Sequence, residues 1–94
     1  MPSGNDTYKI ILEDDVVRRD IPRLPQMVRQ HVKKAIREKL TRLPETFGKP
    51  LRHNWKGFFR LRVGDYRVVY RIDEPRKTVC VVAIKHRRFV YEEP

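Results

Sequence analysis

The residues best suited to chemistry are arginines set at alternate positions around a Gly64-Asp65 pair: Arg60 and Arg62 before it, Arg67 and Arg71 after it. A guanidinium can hold a phosphate through two parallel N–H···O bonds. A second group, His86, Arg87, Arg88 and Tyr91, adds side chains able to move protons near the end of the chain. Between Gly48 and Ile72 the only acid is Asp65, so this stretch cannot hold catalytic metal ions through paired carboxylates. His31, His53 and His86 lie far apart, without the spacing of a helical zinc site, and there is no Gly-rich phosphate loop. Cys80, the single cysteine, excludes a disulfide framework. Within Val79-Cys80-Val81-Val82 it reads as a small buried hydrophobe. What remains is metal-free phosphoryl chemistry on RNA, in which a 2′-hydroxyl attacks its own adjacent phosphate. Arginines can orient the phosphate and neutralise its developing charge, and Tyr91 or His86 can transfer protons. No cofactor and no metal are expected.

Composition supports an anionic partner. The 94 residues carry 22 Lys and Arg against 12 Asp and Glu, a net charge of +10. Residues 48–94 hold 12 of the basic side chains and only 5 of the acidic ones. Such a balance points to a polyanion or an acidic protein. The length fits one domain, expected over residues 7–91, with residues 1–6 disordered and 92–94 an acidic stub. No apolar run approaches the roughly 18 residues of a membrane span. No secretory signal is visible, so a cytoplasmic protein is expected.

The elements that must position these residues follow from periodicity. Tyr8 to Leu12 reads as a strand, and Glu13-Asp14-Asp15 suits the first turn of a short helix that buries Val17, Ile21 and Leu24 and that Pro22 ends or kinks near Asp20 or Ile21. Pro25 opens a longer helix with Val28, Val32, Ala35, Ile36, Leu40 and Leu43 on its apolar face, and Pro44 stops it. Its other face, with Arg29, Lys33, Lys34 and Arg37, is either a solvated surface or a docking surface for an acidic partner. Residues 58–63 and 66–72 alternate as a hairpin about Gly64-Asp65, and Thr78 to Ile84 reads as an interior strand. The expected fold is α+β: two N-terminal helices packed on one face of a mostly antiparallel twisted sheet, in β-α-α-β-β-β order.

Pairing Val63 with Tyr66 places Leu61 by Val68 and Phe59 by Tyr70 on the core side. The other side then carries Arg62 opposite Arg67, Arg60 opposite Val69 and Phe58 opposite Arg71. Pairing Asp73 with Thr78 adds Cys80, Val82 and Ile84, an apolar floor with a guanidinium border. That surface suits a nucleic-acid strand, although arginines merely solvated, with stems lying over the floor, give the same pattern. Trp55, in the loop with Lys56, is either core or a base-stacking platform.

The run Leu51-Arg52, Trp55-Lys56-Gly57, Phe59 through Ile72, then Val81 to Ile84 and His86-Arg87-Arg88-Phe89-Val90-Tyr91, resembles the RelE/ParE superfamily of toxin-antitoxin toxins. Asp20-Ile21-Pro22-Arg23-Leu24-Pro25 and the basic helix after it are similar to the two-helix hairpin of those proteins. The RelE branch implies a ribonuclease that cuts mRNA in the ribosomal A site and is held inactive by a cognate antitoxin, which sets the oligomeric state. Its catalytic positions match Arg60, Arg67, Arg87 and Tyr91, with His86 a further proton-transfer candidate. Arg62, Arg71, Lys56, Arg88 and Phe58 are the expected RNA contacts. Phe58 stands where well-known members carry a lysine, and the chain stops three residues after Tyr91. The ParE branch implies instead an inhibitor of DNA gyrase without nuclease activity. A non-catalytic RNA-binding module is the third reading.

Overall fold

The computed structural model describes residues 7–90; Tyr91, the first six residues and the acidic stub lie outside them. Strand β1 (Lys9–Leu12) pairs in parallel with β5 (Thr78–His86). The sheet continues antiparallel through β4 (Tyr66–Asp73), β3 (Phe59–Val63) and β2 (Lys49–Pro50), in the order β1-β5-β4-β3-β2. β5 is interior, as its two-sided apolarity requires.

The helical segments carry the chain from β1 back across one face of the sheet. Val16–Asp20 is a π-helical turn, closed by the Ile21 N–H donating to the Val16 carbonyl at 2.9 Å. Its extra residue per turn shifts the inward phase. Val16, Asp20 and Leu24 point into the protein, Ile21 is half-buried, and Val17, expected in the core, is 50% exposed. Helix α1 (Gln26–Ala35) takes Pro25 as its N-cap and continues into a second π-helical turn, Ile36–Leu40. Val32 and Leu40 are buried, whereas Leu43, expected on the same stripe, is 52% exposed because the helix ends before it. Pro44 does more than stop that helix: it opens the single turn α2 (Pro44–Phe47).

The core joins Val16, Leu24, Val32 and Leu40 to Leu61, Val68, Tyr70, Val79, Val81 and Ile84. Both helical segments therefore cover one face of the sheet, as expected. Tyr70 stacks on Phe59, and its buried hydroxyl donates to the Pro44 carbonyl at 2.6 Å. A Cβ at Gly48 would collide with that hydroxyl, so glycine lets β2 close against the sheet. Among the described residues no helix is long and apolar enough to cross a membrane.

Candidate nucleic-acid interface

The hairpin adopts the expected register: Val63 by Tyr66, Arg62 by Arg67, Leu61 by Val68, Arg60 by Val69 and Phe59 by Tyr70. Gly64 takes φ of 60°, the left-handed conformation the tight turn needs. Paired residues share a face, so Arg60 and Arg62 lie on the side away from the helices, with Arg71 beside Cys80 farther along.

A bulge alters the next strand. Asp73 pairs with Thr78 as expected, but Val69 pairs with Ala83 and Tyr70 with Val81, leaving Val82 as the extra residue. Cys80 and Val82 stay on the arginine side. Ile84, expected there, turns into the main core beside Val68 and is 2% exposed, and Ala83 takes its place. The same shift pairs His86 with Tyr66 on the helix side, where the rings meet edge to face at 5.3 Å. The His86 Nδ1 accepts the Arg88 N–H at 3.2 Å. The structure thus places His86 on the side of the sheet opposite Arg60 and Arg62.

The apolar floor is partly roofed. Leu51, Trp55, Phe58 and Val82 pack against Val69 and Ala83, with Trp55 and Phe58 edge to face at 5.3 Å. Phe58, expected to meet RNA, is half-buried in this second cluster, and Trp55 belongs to it too. Lys56 is exposed on the loop. Burial raises the Cys80 thiol pKa against the lowering effect of Arg71, and Glu13 raises it further, which keeps the thiol neutral.

The cations fall into two groups. At the hairpin end Arg67 is only 5% exposed, its Nη1 donating to the Gly64 and Tyr66 carbonyls at 3.0 Å each. The Arg87 backbone N–H donates to the Asp65 carbonyl of the same turn at 2.8 Å. The turn therefore gathers Arg67 and Arg87, with Arg62 exposed opposite Arg67, and Arg88 exposed next to Arg87 in the helical turn α3 (Arg87–Val90). One rung farther along, Lys49 of β2 pairs with Arg60. Lys49 escaped the sequence reading because a two-residue strand shows no periodicity.

Asp20 was missed as well. Past the end of β1 its buried carboxylate accepts the Ile84 N–H at 2.9 Å and the Lys85 ammonium at 2.8 Å. It thereby anchors the stretch of β5 that leads into Arg87. The only prior signal was a polar residue at an inward helical position.

The sequence profile described as ParE toxin of type II toxin-antitoxin system, parDE, matches residues 13–91. The chain belongs to the RelE/ParE toxin family. It is 39% identical over 74 residues to the toxin RelG of Mycobacterium tuberculosis, covering 79% of this chain and 85% of the relative. It is 37% identical over 73 residues to the toxin RelE of the same organism, covering 78% and 75%. The toxin-antitoxin complex RelBE2 of M. tuberculosis superposes with a TM-score of 0.80 at 36% identity, over 86% of this chain and 99% of that chain. The isolated E. coli RelE toxin shares the fold, with a TM-score of 0.69 at 18% identity over 84% and 83%. As a RelE/ParE toxin, this chain has three of the arginines that the resemblance put forward, Arg60, Arg67 and Arg87, among the described residues.

Proposed function

We propose that this toxin is a metal-independent endoribonuclease that cuts mRNA in the ribosomal A site. The observation that supports this reading most is the pairing of Arg62 with Arg67 next to the turn that also holds Arg87. Cations directly opposite each other in a sheet are destabilising by up to about 1 kcal/mol. Exposed Arg62, Arg87 and Arg88 around that turn would attract a polyanion.

In this reading Arg87 binds the scissile phosphate and stabilises its pentacovalent charge, Arg67 stays bonded to the turn carbonyls and holds that turn in place, and Arg60, Arg62, Arg71, Arg88 and Lys56 hold flanking phosphates. The 2′-hydroxyl attacks phosphorus and loses its proton to a base; the 5′-oxygen leaves and takes a proton from an acid. Tyr91 is the assigned proton carrier. His86 is the weaker candidate because its strand position faces the helices. Phe58 contributes packing under the RNA path rather than charge.

The controlling partner we assign is a cognate antitoxin. On the helix side a groove of about 420 Å³ is lined by Ile10, Leu12, Val32 and Ile36, with Arg29, Lys33 and Arg37 on its rim. Apolar walls under a basic rim suit an amphipathic acidic segment of that antitoxin. Cytoplasmic residence follows from the ribosomal substrate.

Programmed ribosomes carrying a defined mRNA, probed by primer extension, test the proposal. Cuts at the A-site codon that require ribosomes and disappear with Arg87→Ala support it. No cuts from the folded wild type, together with inhibited DNA supercoiling, would establish the gyrase-directed activity instead. RNA binding without any product would mark a non-catalytic module.

A further inference from the structure

Lys49 stands beside Arg60 because β2 pairs with β3, and paired residues share a face. It is exposed, and among the described residues it forms no ion pair with a carboxylate. Its place is firmly set. The preceding Gly48 leaves no room for a Cβ beneath the Tyr70 hydroxyl, and that hydroxyl is bonded to the Pro44 carbonyl. The fold therefore holds an exposed lysine next to an arginine on the sheet edge. Phe58, which shares this face two residues before Arg60, is half-buried against Trp55 and brings no charge. The cation next to Arg60 on this face comes from the neighbouring strand.

We propose that Lys49 is a further RNA-binding residue, its ammonium contacting a backbone phosphate next to the one held by Arg60. The inference rests on the endoribonuclease reading for its biological substrate. Its chemistry is that of any single-stranded RNA laid across β3 and β2. Contact with a phosphate releases counterions, so each such contact adds about 0.7 to the slope of log affinity against log salt for a single strand.

The test compares wild type, Lys49→Ala and Lys49→Arg. Ribosome-dependent cleavage is followed against toxin concentration, and a fluorescein-labelled single-stranded RNA is titrated at several salt concentrations. For Lys49→Ala the expected result is about a tenfold rise in half-saturating concentration, more than any change in maximal rate. The RNA-binding salt slope should become shallower by about 0.7, and Lys49→Arg should restore both. A merely structural lysine would leave the salt slope unmoved. An unchanged slope in Lys49→Ala overturns the inference, whatever cleavage does. Absence of cleavage by wild type with the slope change intact overturns the endoribonuclease reading and leaves the lysine contact standing.

Discussion

The two faces of the sheet are made from the same strands and obey different rules. On the helix side Leu61, Val68, Tyr70, Val79, Val81 and Ile84 are buried in one core, and the Tyr70 hydroxyl and the Asp20 carboxylate both have partners. On the other side a small cluster around Val69 and Ala83 is ringed by Lys49, Arg60, Arg62 and Arg71. Stability is encoded by one alternate set of residues, and the proposed function assigns binding to the other. Departure from the stabilising choice is where a functional surface is expected.

The sharpest way to break this comparison is a pair of variants with opposite effects. Arg87→Ala, at an exposed residue, should lower cleavage by on the order of 10²–10³ and leave stability within about 0.5 kcal/mol. Leu40→Ala, in the core, should cost about 3 kcal/mol in urea denaturation and leave cleavage per folded molecule intact. Equal effects of both variants on the two measurements would refute the division of labour. Arg67→Ala is a poorer probe, because its guanidinium also ties down the turn through the Gly64 and Tyr66 carbonyls.

Asp20 lies between these extremes, since it belongs to the core yet anchors the strand that delivers Arg87. Asp20→Ala strips the Ile84 N–H and the Lys85 ammonium of their acceptor and should cost about 2 kcal/mol. Asp20→Asn keeps an amide oxygen for the Ile84 N–H and should cost roughly half of that. Denaturation midpoints of the two variants measure how much of the anchor is ion pair and how much is hydrogen bond. Identical midpoints would assign all of it to the Lys85 contact.

These comparisons also show what was legible beforehand. The hairpin register was readable because strict alternation and a Gly-Asp turn leave one pairing that buries Leu61, Val68 and Tyr70 together. That register is why Arg60, Arg62 and Arg71 were placed on the face where they stand. The β5 bulge left no trace, because Val81, Val82, Ala83 and Ile84 are all apolar and a one-residue slip among them keeps the pattern unchanged. From that one residue followed the misplacement of Ile84. The π-helical turn hid the phase at Val17 in the same way, since an amphipathic pattern read with period 3.6 has no place for an inserted residue. Lys49 depended on a pairing between segments that nothing local announces.

The smallest predicted effect sharpens the comparison most directly, because stability and binding should move in opposite directions at one residue. Arg62 is exposed and sits across from Arg67, whose head is drawn back onto the turn carbonyls. Arg62→Glu exchanges a repulsive cross-strand pair for an attractive one and should raise stability by roughly 0.5 kcal/mol. Arg62→Gln removes the repulsion without adding attraction, so its gain should be about half as large. Both variants should bind single-stranded RNA more weakly, the glutamate more so, since it places a carboxylate on the phosphate path. Urea midpoints and RNA titrations on the same three proteins decide the matter. A loss of stability in Arg62→Glu would mean that the arginine stem packs on the face enough to outweigh its charge, and the face would then be ordinary solvated surface.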